Sequence, residues 1–263
     1  MRYGMSPQLF LEPEHTAKHR NSLPEQAREE SLVRLMGKGE SAIDVGTLDG
    51  HYCRLLAQRY RRVVALDLIK PDIPEVECVE GDIYDLQLPD RSFDLVLCSE
   101  VLEHLADPER AARELMRIAR RRIVIGVPYK QDLRFHRITC SKCGKAAPPW
   151  GHVNRFDEER LLGMFQPLRA HKIELVAKWK TATTDVATWL MDRAGNPYGP
   201  YDQRTPCLHC GTRYRSSSNR TMIQRALGLT AAALNMTQQA FTKPHALWIH
   251  IAFDVADSSL AKA

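Results

Sequence analysis

Short apolar runs alternate with amphipathic stretches through the first half of the chain. The runs predict strands near 42–46, 62–67, 76–79, 93–98 and 122–127, and the stretches between predict helices near 51–60 and 107–120. Phe93-Asp-Leu-Val-Leu-Cys98 and Arg122-Ile-Val-Ile-Gly-Val127 are apolar at nearly every position, the pattern of strands covered on both faces in a parallel sheet. Asp107-Pro108 supplies a capping carboxylate and a first-turn proline for the helix that follows. Upstream, Pro24 to Met36 reads as an amphipathic helix with Gly37 just past its end. Strand and helix in alternation predict an α/β fold with a doubly wound sheet.

After Pro128 the alternation breaks. Asp157 caps a helix to about Gln166, and His171 to Lys178 reads as a strand. Thr221 to Phe241 reads as a helix, Ala246 to Asp254 as the last strand, and the final residues as a frayed end. The expected organisation is an N-terminal helical segment, 1–40, and a sheet domain of 41–128, 156–180 and 246–255. Two inserts, 129–155 and 181–245, would form a second, smaller subdomain and are read as otherwise irregular.

Composition changes this picture little. A chain of 263 residues, 44% hydrophobic, can bury one sizeable core and a small annex. No run approaches the ~18 apolar residues of a membrane span, and Met1-Arg-Tyr-Gly-Met-Ser-Pro has no signal-peptide core. A cytoplasmic protein without a membrane partner is the expectation. The net charge of +5 is modest, and the clusters Arg59, Arg61, Arg62 and Arg117, Arg120, Arg121, Arg122 lie at helix ends, where cations complement the dipole. A nucleic-acid footprint needs basic residues gathered on one face. Seven cysteines in such a chain argue against a disulfide framework, and Cys53, Cys78 and Cys98 read as small buried hydrophobes.

Chemistry enters at Ser41-Ala-Ile-Asp-Val-Gly-Thr-Leu-Asp-Gly50, a strand running into a Gly-punctuated turn, and at Val63-Val-Ala-Leu-Asp67, a strand ending in a carboxylate. Strand, turn, helix, strand and acid make the nucleotide-cofactor half of a doubly wound fold. Gly46 and Gly50 let the backbone approach a ligand, and Asp67 can accept hydrogen bonds from ribose hydroxyls.

This ordering resembles the class I S-adenosylmethionine (SAM)-dependent methyltransferases, over about 40–180 and the last strand, and implies their Rossmann-like sheet. Ala42 to Gly50 is similar to their first motif, and Asp67 to their ribose-binding acid. Gly81-Asp82-Ile83 is similar to the motif whose acid and following residue flank the adenine, and Ser92 to Pro108 to the fourth strand and its loop. The resemblance implies a SAM site built from Asp44, Gly46, Thr47, Gly50, Asp67, Leu68, Gly81, Asp82, Ile83, Ser99 and Glu100. One position departs: the central glycine of the turn is Leu48, which could reshape the methionine end of the pocket. The absence of Gly-x-Gly-x-x-Gly also weakens the rival nicotinamide-dehydrogenase reading.

Methyl transfer from a sulfonium needs the acceptor in line, and an alcohol acceptor also needs a base or a metal. Glu100, Glu103 and His104 follow the fourth strand, where open α/β sheets bind ligands. Glu100-Val-Leu-Glu-His104 resembles a segment of ubiquinone-type O-methyltransferases and of small-RNA 2′-O-methyltransferases. In the latter both Glu, the His and a later His hold a divalent metal, and His152 falls where that later His would be. Mg, Mn, Fe or Zn would suit two carboxylates and two imidazoles. A pocket-shaping Glu-His with no second metal, and His104 as a direct base, stay open.

Cys140-Ser-Lys-Cys143-Gly and Cys207-Leu-His-Cys210-Gly are a separate signal. Two Cys-x-x-Cys-Gly knuckles can close a tetrahedral all-thiolate zinc site, structural because it has no open position. Such a zinc would clamp the two inserts into a lid. Redox dithiols are disfavoured because neither pair opens a helix. Tyr129, Trp150 and Trp189 could line an acceptor pocket. The reading is a SAM-dependent methyltransferase acting on oxygen of a small molecule, such as a sugar or natural-product intermediate. RNA 2′-O-methylation and a non-catalytic zinc-bearing interaction protein are the alternatives. Oligomeric state is not legible.

Overall fold

The computed structural model describes residues 21–203, 205–217 and 219–255. The first twenty residues of the expected N-terminal segment, and the end read as frayed beyond 255, lie outside the described residues. Two compact units emerge. One holds the described parts of Leu11–Lys130, Phe156–Ala177 and Ala246–Ala263; the other holds Gln131–Arg155 and Lys178–His245.

The first unit is a doubly wound α/β domain. Its strands are β1 (Gly39–Val45), β2 (Tyr60–Asp67), β3 (Glu77–Glu80), β4 (Phe93–Ser99), β5 (Ala119–Pro128), β8 (Arg169–Trp179) and β9 (His245–Asp254), the last two reaching the unit boundary. They lie in the order β3-β2-β1-β4-β5-β9-β8. Strands β3, β2, β1, β4 and β5 run parallel, and β9 runs antiparallel beside β5, pairing Gly126 with His250. The order reverses between β1 and β4, so a ligand crevice opens beyond the carboxyl ends of those strands.

Side-chain alternation explains how helices coat both faces. Ile43, Val45, Val64, Leu66, Val96 and Ile123 face one core with Ala111, Leu115 and Ile118 of α3 (Pro108–Ile118) and Leu161 of α4 (Glu158–Met164). Ala42, Val63, Ala65, Leu95 and Val124 face the other, with Leu32, Leu35 and Met36 of α1 (Leu23–Met36) and Cys53 and Leu56 of α2 (His51–Ala57). Asp107 and Asp157 cap α3 and α4 by accepting from the Arg110 and Arg160 backbone N–H groups at 2.9 and 3.0 Å. The helix expected to run to about Gln166 stops at Met164, and the one expected over 51–60 stops at Ala57, because β2 already begins at Tyr60.

A polar bracket ties α1 to the far edge of the sheet. Ser31 donates to Glu174 Oε2 and contacts His250 Nδ1, both at 2.7 Å. Glu174 also accepts from Arg34 and pairs with Lys172, each at 2.8 Å. Despite the cost of its burial, these donors hold the Glu174 carboxyl down at about 2. A depressed carboxyl stabilises the fold above its unfolded value and loses that contribution as pH falls. Glu174→Gln is therefore expected to cost about 2–3 kcal/mol at pH 7. In urea titrations at successive pH values, the gap between wild type and variant should close between about pH 4.5 and 2.

The second unit contains a two-stranded hairpin, β6 (Ile138–Thr139) and β7 (Ala146–Ala147), with helices α5 (Asp185–Arg193) and α6 (Met222–Phe241). Helix α5 corrects the reading of 181–245 as irregular apart from one helix: Thr184 accepts from the Ala187 N–H at 3.1 Å, and Gly195 follows at φ +76°. Thr221 and Gln224 form a reciprocal capping box at the start of α6. The small core consists of Ile138, Cys140, Ala147, Cys207 and Tyr214.

Candidate active site and cysteine cluster

The turn after β1 is held from below by β2. Gly46 and Thr47 donate their backbone N–H groups to Leu66 O at 2.8 and 3.3 Å, and Gly50 donates to Thr47 O at 3.0 Å before α2 begins. Gly46 sits at φ +82°, and a Cβ there would run into Val101 Cγ2. Gly46→Ala is expected to cost about 2–4 kcal/mol from the left-handed backbone plus the clash. Adding Val101→Ala should recover part of that loss in the same urea titration.

Leu48, at the position read as a departure, adopts φ +51°. Its side chain is partly exposed, and its backbone N–H donates to Asp67 Oδ2 at 3.0 Å. The other Asp67 oxygen accepts from the Leu68 N–H at 2.7 Å. The acid expected to meet the ribose thus also locks the turn, with lone pairs on both oxygens still available for hydroxyls. Asp44, at the end of β1, is fully buried, and burial pushes its carboxyl up to about 6 despite contacts from Thr47 and Cys53.

Gly81 donates to Asp67 O at 2.9 Å, which places the third strand's end beside the second. Asp82 Oδ1 accepts from the Tyr84 N–H at 2.9 Å, whereas Ile83 is buried in the core. Asp44, Gly46, Thr47, Gly50, Asp67, Leu68, Gly81, Asp82, Ile83, Ser99 and Glu100 all lie at the carboxyl ends of β1 to β4 or in the turns that follow. The Asp67 carboxylate, with acceptor capacity left on both oxygens, and the sharply turned backbone at Gly46 are the features here that suit a nucleoside.

The loop after β4 is sharply bent. Glu100 takes φ +59° and donates its N–H to Gly126 O at 2.9 Å. Its Oε2 lies 3.4 Å from Arg28 of α1, whose guanidinium stands 5.4 Å from the Trp248 ring centre. Burial raises the Glu100 carboxyl, and Arg28 opposes that rise. Leu102–His104 form a single 3-10 turn in which Glu103 is fully buried and His104 is exposed, with a Glu103 carboxylate oxygen within 4.8 Å of a His104 ring nitrogen. Neither Glu103 oxygen has a hydrogen-bond partner on another described residue. Burial, then the Glu100 charge, lifts its carboxyl well above the ordinary range. Arg28 and Trp248 were missed in the sequence, where a helix arginine and a strand tryptophan carry no signal of this meeting. His152 belongs to the other unit, with Nδ1 2.6 Å from Gln131 Oε1 and its ring 5.8 Å from Trp150.

The family model described as "Methyltransferase domain" matches residues 43–124, from β1 into β5. The chain carries a SAM-dependent methyltransferase domain. It is 29% identical over 183 residues to a malonyl-[acyl-carrier protein] O-methyltransferase of Serratia marcescens, covering 62% of this chain and 67% of that one. It is 32% identical over 89 residues to a protein of Mycolicibacterium smegmatis named as a probable SAM-dependent methyltransferase, covering 31% of this chain and 35% of that one. The structure of a SAM-dependent methyltransferase from Archaeoglobus fulgidus superposes with a TM-score of 0.52 at 14% identity, covering 92% of this chain and all of that one, a likeness of fold.

Outside the methyltransferase domain, in the second unit, the four patterned cysteines converge. Their sulfurs all lie within 4.8 Å of one another, with Cys140 to Cys210 at 3.6 Å and Cys143 to Cys207 at 3.7 Å. The two knuckles repeat one geometry. Gly144 donates to Cys140 O at 2.9 Å and Gly211 to Cys207 O at 2.8 Å, at φ +70° and +68°. Burial pushes the Cys140 thiol up to about 11, whereas hydrogen bonds from Thr212 bring Cys210 down to about 6. Trp189, on α5, is half exposed and lies under Arg193 at 4.8 Å.

Proposed function

We propose that the chain methylates an oxygen of a small-molecule acceptor, with Glu103 as the base. The observation that carries this reading is Glu103 itself: a buried carboxyl with no hydrogen-bond partner for either oxygen on another described residue, its proton affinity raised, just beyond the carboxyl end of β4. An alcohol gives up its proton only as the new bond forms, and a base titrating nearer neutrality serves that step better than an ordinary carboxylate. An amine acceptor has a lone pair and makes no such demand. SAM supplies an activated methyl group when bound. The chain's part is to hold the nucleoside along Asp67 and the Gly46 turn, to exclude water, and to receive the acceptor's proton at a Glu103 oxygen. The Serratia relative is named an O-methyltransferase, which agrees with an oxygen acceptor.

Cys140, Cys143, Cys207 and Cys210 would hold a structural zinc. The sulfur spacing and the paired Gly-terminated knuckles support that assignment, and four thiolates leave no position for chemistry.

A second reading draws on the same orphan carboxyl. Glu100, Glu103 and His104 would hold a divalent metal and the acceptor would be an RNA 2′-hydroxyl. The unpartnered Glu103 oxygens suit a cation, whereas the Arg28 guanidinium beside Glu100 works against one. SAM carrying a carbon-13 methyl group, incubated with separate small-molecule and RNA pools, discriminates. A labelled methyl at the chemical shift of an oxygen substituent in the small-molecule pool is expected. Label at nitrogen or carbon overturns the assignment. Label in RNA, with binding that weakens steeply as salt rises, favours the metal-assisted reading.

A further inference from the structure

Helix α6 is more apolar outside than inside. Met222, Ile223, Leu229, Met236 and Phe241 are 78, 73, 64, 71 and 86% exposed, while the buried positions are Gly228 and Ala231. An ordinary surface helix has the opposite arrangement. The outward residues also fall in a strict rhythm: Met222, Ala226, Leu229, Ala233, Met236, Ala240. Steps of four and three alternate, which is the seam of a helix pair. Every long side chain occupies one class of position and every alanine the other.

We propose that this seam pairs with itself, so that two copies of the chain associate through antiparallel α6 helices. A two-fold axis beside Ala231 sets Met222 against the partner's Ala240, Ala226 against the partner's Met236, and Leu229 against the partner's Ala233. Each layer then joins one large and one small side chain, the alternation that interdigitates best. Parallel pairing would stack alanine on alanine and methionine on methionine, leaving gaps and crowding in turn. An alanine in every layer lets the helix axes approach to about 8 Å. Met222, Leu229 and Met236, the large side chains of the seam, are 78, 64 and 71% exposed and together offer roughly 400 Å² per chain, the low end of the interface range, to which the alanines and the flanking residues add.

Charge permits the same arrangement. Arg225 is the one charged side chain on α6. In the antiparallel register it lies opposite Thr237 and about 18 Å along the axis from its mate, beyond the ~8 Å screening length at physiological salt. The contact is isologous, so it closes at two copies. This inference is independent of the methyl-transfer reading.

Sedimentation equilibrium of the full chain at micromolar concentrations tests it, with wild type expected to be a dimer. Leu229→Glu and Ala233→Glu, at positions already exposed, should each weaken dimerisation by about tenfold or more with an unchanged circular dichroism spectrum. Leu175→Gln, at an exposed apolar position of the sheet domain, should leave the dimer intact. A wild-type monomer throughout, or a dimer indifferent to both seam variants, overturns the proposal. So does a monomer that floats with phosphatidylserine vesicles and loses that binding on Leu229→Glu, which would assign the face to a lipid surface.

Discussion

Replacing Cys143 and Cys207 together by serine is expected to melt the second unit while leaving the sheet domain folded. The reason is the size of that unit's main apolar cluster, which among the described residues has five buried members, two of them cysteines. A core this small needs a staple, and structural zinc contributes an apparent ~10–16 kcal/mol in small domains at neutral pH. The knuckles join segments about seventy residues apart, so without the metal little fixes 131–155 against 178–245. Wild type should carry one zinc per chain by plasma mass spectrometry, and the double variant none. Amide exchange should then accelerate across β6, β7, α5 and α6, with β1, β4 and β5 still protected. Metal-free protein with unchanged protection would show that the apolar core suffices and that the cysteines are not a staple.

Glu103→Gln is expected to lower kcat by about 10²- to 10⁴-fold, the range for loss of a general base, with SAM affinity unchanged within about twofold. The amide keeps the shape and loses the proton acceptor. The active form of the base is ionised, so wild-type activity should rise with pH through the elevated pKa and level off above it, while the variant's residual rate stays flat. Stability should move the other way. A carboxyl whose folded pKa lies above its unfolded value costs the fold progressively more as pH rises between the two. Glu103→Gln should therefore be at least as stable as wild type at pH 8. Wild-type activity that falls as pH rises, with the variant still active, would mean that Glu103 works as a neutral donor and not as a base.

The sheet domain was largely legible because its signals are local. Short runs rich in β-branched and other apolar residues at Ala42–Val45, Phe93–Cys98 and Ile123–Val127 suit buried strands, and Asp107-Pro108 marks its helix without help from the rest of the chain. The cysteine knuckles were legible for the same reason, since each is a five-residue turn. What could not be read depends on distant residues meeting. Ser31 is an ordinary polar residue in a helix until it reaches Glu174 and His250. Arg28 shows nothing of its place between Glu100 and Trp248. That Glu103 is buried while His104 beside it stays exposed follows from a single 3-10 turn, which no periodicity announces. Helix α5 does carry local signals, Thr184 as its cap and Gly195 beyond its end, although the stretch reads as irregular.

Calorimetric titration of SAM and S-adenosylhomocysteine tests most directly the proposed SAM site at the carboxyl ends of β1 to β4. One site per chain is expected, weakened by about tenfold or more in Asp67→Ala, which loses both the ribose acceptor and the Leu48 contact that locks the turn. Gly46→Ala should bind weakly for the separate reason that its turn is displaced. Absence of binding by the folded wild-type protein, or equal binding by wild type and both variants, would contradict the placement of the cofactor.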